Sequence, residues 1–268
     1  MQGRVLVIAG SDSGGGAGIQ ADIKAVMAMG GYAATAITAL TAQNTTGVHG
    51  VMAVPTAFIR QQIQVVLADL GADAIKTGML GDAATVAAVA DELARLVPGV
   101  PFVLDPVMVA KGGAALLTRD AIEAMRDRLL PMAALITPNI PEAEALLGHA
   151  IPDHAAALAG AEALLQTGAQ AVLLKGGHGG GAVVQDVLAH AGGLLVLEME
   201  RLNTRHTHGT GCTLASAIAA GLAQGMALVP AVRRARAYVQ EAIRQAPGFG
   251  SGHGPLGHGV SVDTGRFG

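Results

Sequence analysis

V-L-V-I-A at Val5–Ala9, then G-S-D-S-G-G-G-A-G at Gly10–Gly18, then I-Q-A-D-I-K-A-V-M-A-M at Ile19–Met29 is the stretch that decides the fold. Five consecutive apolar residues with no alternation predict a strand buried on both faces, and the third segment repeats its apolar positions at helical spacing. Strand, Gly-rich loop and helix make one βα unit. The same alternation continues outward: apolar runs at Ala33–Thr41, Ala72–Ile75, Phe102–Leu104, Ala133–Ile136 and Ala171–Leu174 are separated by helical patterns. That order requires a mostly parallel sheet with helices on its faces, an α/β fold. Past Ala182 the pattern changes to two apolar runs, Ala182–Leu188 and Leu194–Met199, split by His190-Ala191-Gly192-Gly193. They predict an antiparallel hairpin at the sheet edge. A helix over Ala231–Arg244 follows, and a Gly-rich tail, Gly248–Gly268, is expected to be loosely ordered. With no repeat and no linker, residues 1–268 are read as a single domain.

Composition narrows the function. Phe, Tyr and Trp together make up 2% of the chain and Trp is absent, so the core must be aliphatic and base-stacking platforms are disfavoured. A formal charge of −3 without a basic run argues against nucleic acid. The single cysteine excludes an internal disulfide and a Cys-based zinc site, which fits a reducing, cytoplasmic setting. Val5–Ala9 is too short for a signal peptide. The uncharged stretch Gly209–Val232 is long enough to span a bilayer, but it is mostly Ala and Gly, and a buried soluble helix is the better reading.

In a parallel α/β sheet, ligands sit beyond the carboxyl ends of the strands. The residues there are Gln43-Asn44-Thr45-Thr46-Gly47, Lys76-Thr77-Gly78-Met79, Asp105-Pro106-Val107-Met108, Thr137-Pro138-Asn139-Ile140-Pro141-Glu142 and Lys175-Gly176-Gly177-His178. Turns do not need so many charged and amide side chains on one rim, and unanswered charge there is costly. Asp105 and Glu142 suit a Mg²⁺ ion that keeps most of its waters and bridges phosphates, with Asn139 beside them. Glu142 taken alone reads as an acidic residue complementing a helix dipole. Lys175, one of four lysines, is either a phosphate-binding ammonium or a solvated loop charge. The first loop's glycines do not fall as G-x-G-x-x-G, and no G-K-[ST], H-R-D or D-F-G occurs, so a dinucleotide enzyme, a P-loop enzyme and a protein kinase are all disfavoured.

N-T-R-H-T-H-G-T-G-C-T at Asn203–Thr213 precedes an Ala-rich run to Gly225. Gly209, Thr210 and Gly211 stand where a loop turns into a helix, so the helix's unpaired N–H groups converge on one spot that attracts a phosphoryl group. Cys212 sits at its edge, either as a helix-end thiol that loses its proton readily and serves as a base, or as an inert thiol in a capped core helix. His253 and His258 in the tail lack the cysteines or spaced carboxylates a metal site would add.

Together these motifs identify a family. A-G-S-D-S (Ala9–Ser13), G-A-G-I-Q-A-D (Gly16–Asp22), T-A-Q-N-T (Thr41–Thr45), K-T-G-M-L (Lys76–Leu80), D-P-V-M (Asp105–Met108), T-P-N-x-P-E-A (Thr137–Ala143), K-G-G-H (Lys175–His178) and T-H-G-T-G-C-T (Thr207–Thr213) occur in this order. The chain resembles the hydroxymethylpyrimidine and phosphomethylpyrimidine kinases of thiamine biosynthesis, members of the ribokinase-like superfamily, from about Arg4 to His258. The resemblance implies a three-layer α/β/α fold. It implies transfer of the ATP γ-phosphoryl to 4-amino-5-hydroxymethyl-2-methylpyrimidine and then to its monophosphate, with Mg²⁺. Gln43 would hydrogen-bond the pyrimidine, with Gly10, Asp22, Met79 and Val107 lining its pocket. Cys212 would lie near the accepting hydroxyl, where sugar-kinase relatives carry Asp. Gly209, Thr210 and Gly211 would form the anion hole. Asp105, Asn139 and Glu142 would serve the Mg²⁺ and phosphate side, and Lys175, Thr207 and Arg236 the nucleotide. Relatives are often dimers, so a homodimer is expected. Two departures stand out: Arg236 replaces a usual Lys, and Gly257 precedes His258 where Asn is usual. Pyridoxal kinase activity on the same scaffold and a non-catalytic pyrimidine or nucleotide sensor are the alternatives.

Overall fold

The computed structural model describes residues 3–108, 117–177 and 180–260. His178, the last residue of the K-G-G-H match, and the tail beyond Val260 lie outside them. In chain order the elements are β1 (Arg4–Asp12), α1 (Gly18–Ala28), β2 (Tyr32–Asn44), β3 (Gly47–Ala53), α2 (Thr56–Asp69), β4 (Ala74–Thr77), α3 (Ala83–Leu96), β5 (Phe102–Leu104), α4 (Arg119–Arg128), β6 (Leu135–Ile136), α5 (Ile140–Leu147), α6 (His154–Leu165), β7 (Ala171–Leu174), β8 (Val183–His190), β9 (Gly193–Glu200), α7 (Thr210–Ala223) and α8 (Leu228–Arg244). Among the described residues the strands form one sheet, ordered β3-β2-β1-β4-β5-β6-β7-β8-β9. From β2 to β7 neighbours run parallel, and β8 and β9 close that edge as the expected antiparallel hairpin.

The continuous apolar runs serve two cores at once, because successive side chains point to opposite faces. Leu6, Ile8, Ile75, Phe102, Leu104, Ile136, Val172 and Leu174 pack against α2 to α6. Val5, Val7, Ala9, Ala74, Val103, Leu135, Ala171 and Leu173 pack against α1, α7 and α8. Helices on both faces of a mostly parallel sheet are the three-layer α/β/α architecture expected. The near absence of aromatics has a packing counterpart on the second face. There α7 presents Ala215, Ile218 and Ala219, and a Cβ added at Gly221 would lie 3.0 Å from Ala231 Cβ. Small residues bring α7 and α8 close together.

The structure goes beyond the sequence reading in three places. Antiparallel pairing occurs at both edges: β2 continues to Asn44 and turns into β3, which pairs with it antiparallel. Asn44 Oδ1 shapes that turn by accepting from Thr46 N at 2.9 Å and Thr46 Oγ1 at 2.6 Å. The sequence hid β3 because its strand carries two glycines and is mostly exposed. Next, the strand read as Ala72–Ile75 lies at Ala74–Thr77, which moves Lys76 from the rim into the sheet, where it is fully buried.

The tail is the third of these. As far as Val260 it is packed: Leu256, His258 and Val260 are buried, His253 N donates to Thr45 O and Gly257 N to Ala242 O, both at 2.8 Å. Its glycines are sites of close approach, since a Cβ at Gly252 or Gly257 would overlap the carbonyl of Thr45 or Gln245. An Asn at 257 would not fit this backbone.

Candidate active site

The C-terminal ends of the parallel strands open into a cleft of about 1180 Å³. Its lining includes Gly10, Gln43, Met79 and Val107, together with Asp105, Asn139, Glu142, Lys175, Thr207 and Gly209 to Cys212. Of the pyrimidine-side candidates, Met79 packs directly on Gly10, where a Cβ would lie 2.6 Å from its Cε. Asp22 is the exception. It lies on α1 beneath the cleft, fully buried, accepting from Lys76 Nζ at 2.8 Å and Ser216 Oγ at 2.7 Å.

The helix start behaves as the sequence suggested. Gly209 takes φ 81° and caps α7, a conformation that strains any residue with a Cβ, and a Cβ there would also overlap the Gly16 carbonyl. Loop and helix are thereby locked together. Thr210 Oγ1 donates to Thr207 O at 2.8 Å. A Cβ on Gly211 would sit 3.1 Å from Lys175 Nζ and 3.8 Å from Asp105 Oδ2, so the helix N-terminus faces this cation and this carboxylate at close range. The missing side chain leaves the space open.

Asp105, at the end of β5, is 1% exposed. Its Oδ1 accepts from Thr137 Oγ1 at 3.1 Å and Lys175 Nζ at 3.3 Å, while Oδ2 has no hydrogen-bond partner among the described residues. A buried carboxylate oxygen left unmatched is costly unless something arrives to meet it. Glu142 and Asn139 form a reciprocal capping box at the start of α5: Glu142 N donates to Asn139 Oδ1 at 2.9 Å and Asn139 N to Glu142 Oε2 at 2.7 Å. The helix-start reading of Glu142 is met by this capping box, and the same carboxylate lies 3.8 Å from Lys175 Nζ. Burial, and then the nearby Asp105 charge, raise its pKa to about 7 against the pull of Lys175. Burial disfavours the Lys175 ammonium, but Asp105 and Glu142 outweigh that and hold its pKa above the ordinary lysine value. Two carboxylates around one cation, one with a free buried oxygen, suit a hard divalent ion that retains several waters. No group of three or more His, Cys, Asp or Glu able to hold a metal occurs among the described residues.

Cys212 is partly buried on the cleft wall. Burial, with Asp22 and Asp105 nearby, pushes its pKa up to about 12, although Lys76 and an amide of Gly18 work the other way. At neutral pH it is a thiol, because desolvation outweighs the helix-end effect. Arg236 also differs from a free phosphate contact. Its Nε donates to Asp186 at 2.8 Å and its Nη2 to Leu197 O at 2.7 Å, while Asp186 accepts from Gly176 N at 2.8 Å. Arg236 thus braces the turn after Lys175 through Asp186.

Two residues without an assigned role in the sequence emerge as central. Asp12, 3% exposed at the end of β1, accepts from Gly14 N, Gly16 N and Ala17 N at 2.8, 3.1 and 2.8 Å, so the Gly-rich loop wraps around a carboxylate. His208 Nε2 lies 2.9 Å from the same carboxylate. Burial raises the Asp12 pKa, but His208 and the amides of Ala17 and Gly14 outweigh it and leave it below the usual carboxylate range. An acid inside a Gly-rich loop was the available signal, since its charge must find donors. Its histidine partner lies 196 positions away, which local pattern cannot supply.

The sequence pattern of the family described as phosphomethylpyrimidine kinase matches residues 12–257. A hydroxymethylpyrimidine/phosphomethylpyrimidine kinase of Rhizobium meliloti is 49% identical over 256 residues, covering 94% of this chain and 96% of that one. A thiamine biosynthesis bifunctional protein of Geobacter sulfurreducens is 48% identical over 269 residues, and the match spans 99% of this chain but only about half, 54%, of that protein. Among solved structures, a phosphomethylpyrimidine kinase of Clostridium difficile 630 superimposes with a TM-score of 0.80 at 40% identity, covering 90% of this chain and 99% of that one. The pyridoxal kinase of Staphylococcus aureus in complex with pyridoxal gives 0.89 at 34% identity, covering 97% and 94%. With the family pattern matched over most of its length and a near-full-length relative at this identity, the chain belongs to the phosphomethylpyrimidine kinase family.

Proposed function

We propose that the chain, acting as a single kinase domain, transfers the γ-phosphoryl of ATP to the hydroxymethyl group of 4-amino-5-hydroxymethyl-2-methylpyrimidine, and then a second phosphoryl to that monophosphate. The observation that carries this reading is the close approach of the Gly211 helix start to Lys175 and Asp105 in the cleft that also holds Gln43 and Cys212. Phosphoryl transfer asks a protein mainly for positioning and charge stabilisation. Gln43 supplies a donor and an acceptor for an aminopyrimidine edge, with Gly10, Met79 and Val107 enclosing the ring. The amides of Gly211 and Cys212 face the charge that grows on the transferring group, while Thr210 holds the turn with its N–H and hydroxyl on Thr207 O. Lys175, placed by β7 and braced through Gly176, Asp186 and Arg236, meets the nucleotide phosphates alongside Asn139 and Thr207. Mg²⁺, held by the free oxygen of Asp105 and by Glu142 through water, would neutralise phosphate charge when bound. The Cys212 thiol orients the accepting hydroxyl at the mouth of the hole. Asp22 contributes from below, through Lys76.

Incubation with ATP, Mg²⁺ and the hydroxymethylpyrimidine, followed by mass spectrometry, should give the monophosphate early and the diphosphate late. No phosphorylated product would end this reading. Chelation of Mg²⁺ should abolish turnover, and Asp105→Asn should raise the Mg²⁺ concentration needed. The likeness to the Staphylococcus aureus pyridoxal kinase supports a second reading, phosphorylation of pyridoxal, which steady-state kcat/KM values for the two alcohols separate. No helix among the described residues is long and apolar enough to cross a membrane, and we place the enzyme in the cytoplasm. Exposed Leu40, Val51, Met52, Phe58 and Val65 on β2, β3 and α2 support a homodimer through that edge. Sedimentation of the wild type against Met52→Glu tests it.

A further inference from the structure

Gln43 must present its amide one way round to distinguish an aminopyrimidine from an oxo analogue, and its neighbours decide which way. We propose that His208, oriented by Asp12, is the residue that locks the Gln43 amide with its oxygen toward His208 and its nitrogen toward Thr41, and so sets discrimination for the amino group. This rests on the pyrimidine reading given above.

The argument is a count of protons. Asp12 already accepts from three backbone amides, so its carboxylate is ionised and the nitrogen 2.9 Å from Oδ2, His208 Nε2, carries a hydrogen. A Gln43 amide atom lies 3.3 Å from that same Nε2, and were it the amide nitrogen, two N–H groups would face each other. On the opposite side Thr41 Oγ1 lies 2.9 Å from Ser11 O and 3.1 Å from the other Gln43 amide atom. The threonine hydroxyl has one hydrogen, and Ser11 O can only accept, so toward Gln43 it is an acceptor. A half-turn about the terminal torsion answers both sides. The His208 N–H is then shared between Asp12 and Gln43 Oε1, and Gln43 Nε2 donates to Thr41. One lone pair and one N–H of Gln43 remain for a ligand. An amino-bearing ring edge offers an N–H and an adjacent ring nitrogen, which match; an oxo-bearing edge offers a carbonyl and a ring N–H, which require the opposite orientation.

His208 is itself held rigidly. Its ring packs on Gly16, where a Cβ would come within 2.5 Å of Cδ2, and its backbone N donates to Gly254 O at 3.1 Å. The packed tail therefore serves the lock.

The test measures kcat/KM for the aminopyrimidine alcohol and for the analogue with the amino group replaced by oxo. In the wild type the amino compound should be preferred by roughly a thousandfold or more. His208→Leu should lower that ratio by about tenfold or more. Most of the change should lie in KM, and the effect should vanish in a Gln43→Leu background. His208→Asn, which retains an N–H donor, should restore part of the preference. Thr41→Val removes the acceptor on the other side and should also lower the ratio, which keeps the test alive if His208→Leu does not fold. Wild type that does not discriminate withdraws the substrate reading itself. Wild-type discrimination that persists in His208→Leu and Thr41→Val, or a fall in kcat for both compounds at constant ratio, overturns the lock alone.

Discussion

Replacing Lys76 with Met should be among the most damaging single changes in this chain, although Lys76 lies below the cleft wall. Lys76 and Asp22 are each 0% exposed, their contact is 2.8 Å, and Asp22 Oδ2 has no partner among the described residues. Lys76→Met leaves a buried carboxylate with Ser216 Oγ as its remaining donor, and breaking such a pair costs about 3–5 kcal/mol. Asp22→Asn strands the ammonium at similar cost. The double variant removes both charges and should be more stable than either single, with a coupling energy of about 3 kcal/mol. A pH signature accompanies this. Burial already raises the Asp22 pKa above its ordinary value, and without Lys76 it must rise further. A carboxylate whose folded pKa lies above the unfolded one contributes stability below the unfolded pKa and loses it as pH rises. The deficit of Lys76→Met relative to wild type should therefore shrink between pH 7.5 and pH 5, while the double variant shows no such trend. Urea unfolding at both pH values reads all four proteins, with m-values checking that the same surface unfolds. Single variants costing under about 1 kcal/mol, or effects that simply add, would refute the claim that the pair is a buried, mutually dependent unit.

Other measurements follow from the same coordinates. Burial pushes the pKa of His258 down to about 4, with Lys24 adding to the effect, so its neutral ring is favoured in the folded state. Stability present above pH 6.5 should be lost as pH falls toward 4, by about 3 kcal/mol. His258→Gln should remove that portion of the acid dependence in calorimetry. Cys212, raised to about 12, should react with iodoacetamide at pH 8 about a thousandfold more slowly than a free cysteine, as followed by intact mass; rapid alkylation would mean a thiolate is present. Gly209→Ala should cost about 1–2 kcal/mol from its backbone conformation alone. Because the added Cβ overlaps the Gly16 carbonyl, it should also lower kcat more than a hundredfold; wild-type kcat would show that the helix start is not the anion site.

The alternation of parallel strands with helices, the two-sided burial of the sheet and the Gly-Thr-Gly-Cys helix start could be read from the chain itself, because each depends on neighbours a few positions apart, whereas the exposed, glycine-containing β3 could not. Short continuous apolar runs bounded by turn residues read as strands covered on both faces, and small residues before an apolar helix mark where its N–H groups open. Tertiary structure alone decided what depends on distant partners. Lys76 looks like a rim charge until β4 is seen to extend over it, and Asp22 looks like a pocket residue until α1 turns it toward Lys76. The glycines of the tail read as disorder, yet they are where carbonyls from Thr45 and Gln245 come too close for a side chain. The thiol of Cys212 illustrates the same division: its place at a helix end is local, but its protonation is set by how many atoms from elsewhere in the fold keep water away. Pattern along a chain reports what each segment can do by itself, whereas desolvation and hydrogen-bond pairing are properties of the whole packed interior.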